Sequence, residues 1–287
     1  MPVQSAMERY RLWLNDPGID EETKRELRSI ADNPAEIEDR FYKDLEFGTG
    51  GLRGVIGAGT NRMNRYTVGR ASQGLAEFVK QMAADQGAEP SVAIAYDSRR
   101  QSPEFALEAA LVFAGNGIKS FVFESLRPTP ELSFAVRHLR AIAGVVITAS
   151  HNPPEYNGYK VYGPDGGQLV PRDAERVLLH IGRVASFSDV RRIDRAEAEN
   201  RGLLRWIGAE VDDAYIKAVT SVSRNADVVR SIQDRFTIVY TPLHGTGNLP
   251  VRRALREIGF QNVIVVKEQE QPDPNFSTVR SPNPEEK

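Results

Sequence analysis

Gly144-Val-Val-Ile-Thr-Ala-Ser-His-Asn-Pro-Pro-Glu-Tyr-Asn-Gly-Tyr-Lys160 is the stretch that decides the fold of this chain. Gly144 to Ile147 is short, apolar and β-branched, which predicts a strand buried on both faces. A hydroxyl, an imidazole, an amide and two prolines follow at once, a composition no central strand continues through. Ser150 is therefore predicted on a stiff turn at the C-terminal end of a buried strand. In open α/β sheets that end is where ligands bind.

On either side of this stretch, strands alternate with helices. Upstream, Lys119 to Phe123 reads as a strand, with Thr129-Pro130 opening the helix after it. Val92 to Tyr96 reads as another strand, ending in Asp97-Ser-Arg99, and Ser102-Pro103 supplies a predicted N-cap and first-turn proline. Val68, Ala71, Leu75, Phe78 and Met82 recur at helical spacing between Tyr66 and Met82. Before them lies a glycine-rich loop, Phe47-Gly-Thr-Gly-Gly-Leu-Arg-Gly54, and before that a polar, helix-prone lead-in over residues 1–40. Downstream, residues 186–205 are polar and read as an interdomain connection. A second unit follows, with a helix over 212–222, strands over 236–240 and 262–266, a glycine-rich loop over 241–248 and a helix over 250–258. The fold class predicted is two consecutive three-layer α/β domains with mixed, mainly parallel sheets, over 41–190 and 205–287, the second incomplete.

Composition excludes several function classes. Cysteine is absent, so disulfide frameworks and thiolate metal sites are out, as in a reducing cytoplasm. A formal net charge of −2 argues against a nucleic acid or an anionic membrane held by bulk charge. No apolar run reaches bilayer-spanning length, and the N-terminus has no secretory pattern.

Three loops concentrate polar function. Gly50-Gly51-Leu52-Arg53-Gly54 offers free backbone N–H groups and a guanidinium, the ingredients of a phosphate site; it equally fits a flexible turn with a solvated arginine. Its spacing fails the dinucleotide fingerprint, since Arg53 stands where the last glycine belongs. No triphosphatase loop is present. Ser150-His151 lacks the G-x-S-x-G elbow, and neighbouring side chains on extended chain point apart, so a serine hydrolase is disfavoured. Asn152-Pro153-Pro154 directs the loop, and Asn157-Gly158 is read as turning it back to bring Lys160 near Ser150. A lysine beside a serine oxygen suits a phosphorylated serine. Taken singly, the same residues fit a turn cap, a surface imidazole and a solvated ammonium.

As a whole, T-A-S-H-N-P-P-x-x-N-G-x-K resembles the phosphoserine loop of the α-D-phosphohexomutases, the phosphoglucomutase/phosphomannomutase superfamily. The likeness extends to Phe47–Gly54, to Tyr96-Asp-Ser-Arg99 with Ser102-Pro103, and to Thr241-Pro-Leu-His-Gly-Thr-Gly247, looking most like the bacterial phosphoglucomutase branch. The resemblance implies that Ser150 carries a phosphoryl group between the oxygens of a sugar phosphate, through a hexose 1,6-bisphosphate. By it, His151 and Lys160 neighbour the phosphoserine, Lys160 being the candidate for proton transfer, and Arg53 contacts the phosphoryl group. Thr49, Gly50, Asp97, Arg99, Asn152 and His244 fall on loops expected to border or support the substrate. One Mg2+ per full-length subunit, touching Ser150 through its phosphate oxygen, and glucose 1,6-bisphosphate as activator are implied too. The aspartate triplet of the family's metal loop is not among these residues, and Asp212-Asp213 has the wrong spacing. The chain is therefore expected to be a piece holding the first domain and part of the second, without mutase turnover of its own. Mannose, pentose and aminosugar phosphates remain alternatives to glucose phosphate, and a non-catalytic phosphate-binding or interaction module is the alternative to an enzyme.

Overall fold

The computed structural model describes residues 5–48, 50–283 and 285. The chain opens with α1 (Ala6–Asn15), α2 (Glu21–Ser29) and α3 (Pro34–Phe41). Each starts at a side chain that can cap it. Ser5, Asp20 and Asn33 accept from the Glu8, Thr23 and Glu36 N–H groups, and Pro34 begins α3. Their apolar faces meet in an aromatic cluster where Trp13 lies edge-on to Phe41 and Tyr66, at centroid separations of 5.7 and 5.5 Å. Tyr66 belongs to α4 (Arg65–Gln86), so the lead-in is packed onto the first module.

That module continues through β1 (Gly51–Val55), α4, β2 (Ser91–Tyr96), α5 (Ser102–Gly115), β3 (Lys119–Phe123), α6 (Thr129–His138), β4 (Ala143–Ile147) and β5 (Tyr156–Tyr162). It closes with α7 (Pro171–Gly182), α8 (Arg195–Asn200) and β6 (Leu204–Ile207). The six strands form one sheet in the order β1-β5-β4-β2-β3-β6. β4, β2, β3 and β6 run parallel; β5 is antiparallel to both β4 and β1. The period-2 alternation of strands sorts the core. Ile94, Val145, Ile147, Tyr159 and Val161 share one cluster with α4, α5 and Val177 of α7. Ala93, Ala95, Val146 and Tyr162 share the other with Leu132 and Val136 of α6. Three layers result, as the pattern predicts, and the β2 and β4 loops leave the same edge of the sheet.

The second module contains α9 (Ala209–Ser221), α10 (Ala226–Ile232), β7 (Ile238–Tyr240), α11 (Asn248–Ile258) and β8 (Val263–Val265). β7 and β8 pair in parallel as a separate two-stranded sheet. Val239 and Ile264 on it are 70% and 54% exposed. The modules are joined by Arg127, whose fork donates to both Asp212 carboxylate oxygens at 2.8 and 2.7 Å. Among the described residues, no helix is long and apolar enough to cross a membrane.

Several details depart from the sequence reading. Residues 186–205 are not simply a connection: they hold a 3-10 turn and α8, and lead directly into β6, the edge strand beside β3. The first module thus extends to Ile207, because β6 buries Leu204 and Ile207 against it. Asn157-Gly158 is not a turn but part of β5; the reversal is made by residues 149–155. Ser102 is not an N-cap either. Gln101 takes that place at φ +60° with no side-chain cap, while the Ser102 hydroxyl donates to Asp97 Oδ1 at 2.7 Å.

Candidate functional site

The sheet places the cationic groups before any side chain is considered. Gly51 opposes Lys160, and Arg53 opposes Gly158, across the β1–β5 ladder. Directly opposed residues and residues two apart share a face, so Arg53 and Lys160 are diagonal neighbours on one side of the sheet, with Cβ atoms roughly 7 Å apart. Gly158 has no side chain because the strands close on it: a Cβ there would meet Thr148 O at 2.6 Å and Leu52 O at 2.9 Å. Gly51, at φ +147°, is constrained the same way, with Tyr159 O at 1.8 Å from a built Cβ. Gly50 backs onto Gln168. Arg53 and Lys160 line a cavity of about 450 Å³ with Gly48, Gly50, Gly51, Asn61 and Gln168. Thr49 lies outside the described residues.

The loop after β4 carries Ser150 at its exposed tip, at φ +58°, a left-handed conformation that strains a serine. Its amide donates to Thr148 Oγ1 at 3.1 Å. The same conformation alters the expectation for His151: the chain is not extended here, and Nδ1 comes to 3.4 Å from Ser150 Oγ instead of diverging. Asn152 turns inward, with its side chain donating to Ala149 O at 2.7 Å, and so closes the loop.

Asp97 and Arg99 hold the loop from beneath. Arg99 is 2% exposed, and its guanidinium donates to four carbonyls of the loop: Ser150 and Asn152 from Nη2 at 2.8 and 2.6 Å, Pro153 and Tyr156 from Nη1 at 2.8 and 3.0 Å. Asp97 accepts from the Arg99 N–H at 2.9 Å and the Ser102 hydroxyl, and its carboxylate lies 3.5 Å from Arg99 Nε. Burial pushes the Asp97 carboxyl up, against the lowering effect of those donors. Asn157, fully buried, donates to Ser102 Oγ at 2.9 Å and Arg100 O at 3.0 Å. The roles of Asn157 and Ser102 as scaffold were missed in the sequence, where an Asn-Gly pair points to a turn.

Lys160 is half-buried. Burial first and the Arg53 guanidinium second hold its ammonium below the usual lysine range, with Asp97 pulling the other way. Two cations on one face of the β1–β5 ladder, lining one cavity, offer a place where an anion would be favoured.

His244 makes no hydrogen bond to the Ser150 loop. It is 4% exposed in the second module, with Nδ1 2.9 Å from Gln271 O and Nε2 2.7 Å from Thr278 Oγ1, so both ring nitrogens are occupied by the 271–278 segment. For Mg2+ the residues present do not fit. Asp97 is committed to Arg99 and Ser102, and among the described residues no cluster of three His, Cys, Asp or Glu could hold an ion.

The family model for phosphoglucomutase/phosphomannomutase, alpha/beta/alpha domain I, matches residues 44–186, and that for alpha/beta/alpha domain II matches residues 213–287. A phosphoglucomutase of Staphylococcus haemolyticus is 40% identical over 250 residues, 87% of this chain and 44% of that protein. One from Staphylococcus aureus strain USA300 is 37% identical over 91% of this chain and 46% of its own length. The chain thus spans about half the length of the curated relatives it matches. Among solved structures, a putative phosphomannomutase from Thermus thermophilus superposes with a TM-score of 0.64 at 27% identity, over 83% of this chain and 48% of that one. The Paramecium phosphoprotein pp63/parafusin shares the fold, with a TM-score of 0.62 at 15% identity over 83% of this chain and 45% of its own. The two domain models together take in the β1 glycine loop, the Ser150 loop and the second glycine-rich loop in order, and the chain belongs to the phosphoglucomutase/phosphomannomutase family.

Proposed function

We propose that this chain carries the phosphoryl-carrier part of a phosphohexomutase, interconverting glucose 1-phosphate and glucose 6-phosphate, with Ser150 as the carrier. The observation that supports this most is exposed Ser150 at the tip of a loop whose carbonyls a buried arginine holds, in a sheet whose β1–β5 ladder puts Arg53 and Lys160 on one face. In the forward half-reaction, a sugar hydroxyl attacks the phosphorus on Ser150. The new P–O bond forms to the sugar, the bond to Oγ breaks, the sugar hydroxyl loses its proton and Oγ ends with one. Phosphoryl transfer asks the protein mainly for alignment and charge stabilisation. Arg53 supplies charge to the phosphoryl oxygens. Lys160, with its ammonium destabilised by burial and by Arg53, is suited to exchange a proton at the same place. Glucose 1,6-bisphosphate is the species that charges Ser150, and a cytoplasmic location suits a cysteine-free enzyme of sugar phosphates. Among the described residues no carboxylate cluster is placed to hold Mg2+.

The test is discharge. Chain phosphorylated on Ser150 is mixed with glucose 1-phosphate, mannose 1-phosphate or ribose 1-phosphate, and loss of the phosphoryl group is followed by intact mass. The reading expects loss to glucose 1-phosphate with a matching yield of glucose 1,6-bisphosphate. Phosphoserine that stays intact with every sugar phosphate would place the chain among non-catalytic phosphate-binding modules.

A further inference from the structure

The guanidinium that fixes the Ser150 loop is covered by the second module. Phe276 lies over Arg99 with its ring centroid 5.1 Å from Cζ. Phe276 is itself buried, at φ +51°, on a turn tied by Asp273, which accepts from the Asn275 and Ser277 N–H groups at 2.9 and 2.8 Å. The adjacent Arg100 reaches the same turn, with Nε donating to Asn275 Oδ1 at 3.0 Å. One turn of the second module therefore sits on both arginines of the Asp97–Arg100 loop.

The carbonyls of Ser150, Asn152, Pro153 and Tyr156 all accept from Arg99, while the loop's other bonds are local or, at Glu155, reach Ile56 just after β1. Arg99 Nε has no hydrogen-bond partner; Asp97, with its carboxylate at 3.5 Å, and then Glu155 offset the charge. Water admitted to this pocket would compete for every one of those donors. An aromatic face excludes it and adds a cation–π attraction that is worth more in a desolvated setting. Leucine would cover less of the guanidinium and supply no quadrupole.

Resting on the proposed role of Ser150, we propose that Arg99 is a positioning residue for Ser150 and that Phe276 is its clamp, so that seating of the second module's 273–277 turn sets how firmly the phosphoryl carrier is held. The coupling is reciprocal: a ligand that orders the 149–156 loop favours the seated turn by the same factor as the seated turn favours the ligand.

The experiment compares wild type, Phe276→Leu and Phe276→Tyr by amide hydrogen exchange of residues 149–156, with β2 and β4 as internal controls. In parallel, the rate of Ser150 phosphorylation is measured at increasing glucose 1,6-bisphosphate. Phe276→Leu is expected to speed loop exchange roughly tenfold, between the effect of an exposed and of a fully desolvated cation–π contact, while β2 and β4 keep wild-type protection. It should lower the maximal phosphorylation rate and leave the half-saturating bisphosphate concentration in place, and Phe276→Tyr should restore both. Wild-type loop exchange in Phe276→Leu, or an equal rise across β2 and β4, overturns the proposal. If even the wild type takes no phosphoryl group, the proposed function fails while loop exchange still decides the role of the clamp.

Discussion

The two modules are built from the same alternation of strand and helix, yet they stand in opposite physical situations. In the first, the central strands β2 and β4 are buried on both faces, and the polar groups beneath the Ser150 loop, Arg99, Asp97, Asn157 and Ser102, are bonded to one another or to loop carbonyls. In the second, a two-stranded sheet shows Val239 and Ile264 to solvent, and α11 buries no residue. Two strands hold little core of their own. The first module holds Ser150 at φ +58°; the second meets it through contacts such as Arg127–Asp212 and Phe276–Arg99.

The largest test of that contrast is Arg99→Met. It removes the donors of four carbonyls and leaves Asp97 buried without its cation, an expected loss of about 3–5 kcal/mol in urea unfolding of the first module. A loss below about 1 kcal/mol would mean that the loop does not depend on it. Next, Leu75→Ala empties part of the fully buried core beneath the sheet and should cost about 3 kcal/mol.

At the junction the contrast becomes a pH dependence. Glu131 is 1% exposed, Oε2 has no hydrogen-bond partner, and Arg127, Asp212 and Arg253 surround it. Burial first and Asp212 second raise its carboxyl from 4.5 to about 8. The folded chain therefore holds a proton that the unfolded chain gives up above pH 4.5. Stability from this group falls as pH rises between about 4.5 and 8, and levels off beyond. Glu131→Gln should remove that fall, gaining on the order of 2 kcal/mol on wild type by about pH 8. Parallel stability–pH curves for the two proteins would contradict it. The smallest effect belongs to the second sheet: Ile264→Ala should change stability by less than about 0.5 kcal/mol, since the side chain is already in water.

Much of the first module was legible in the sequence because its signals are local and redundant. β3 and the start of α6 fall where the apolar run and Thr129-Pro130 predict, and β2 and β4 fall within a residue of it. What stayed hidden depends on partners far away in the chain. β1 is glycine-rich because Tyr159 crowds Gly51, and β5 carries Asn-Gly because Gly158 admits Thr148 and Leu52, so close strand approach looks like turn chemistry. β6 was lost in a polar stretch because its assignment rests on pairing with β3. Arg53, Lys160 and Ser150 are candidates by resemblance, and the ladder register that puts the first two on one face was not legible. No periodicity marks Arg99 as the loop's anchor, and nothing in Asp273-Pro-Asn-Phe276 says which guanidinium the ring will cover.

The most direct measurement is the mass of the peptide containing residues 144–160 after the chain meets glucose 1,6-bisphosphate, with Ser150→Ala alongside. One phosphoryl group on Ser150, absent from Ser150→Ala and slowed in Arg53→Ala and Lys160→Ala, is the predicted result. An unmodified peptide, or phosphate found elsewhere on the chain, would contradict the assignment of Ser150 as the carrier.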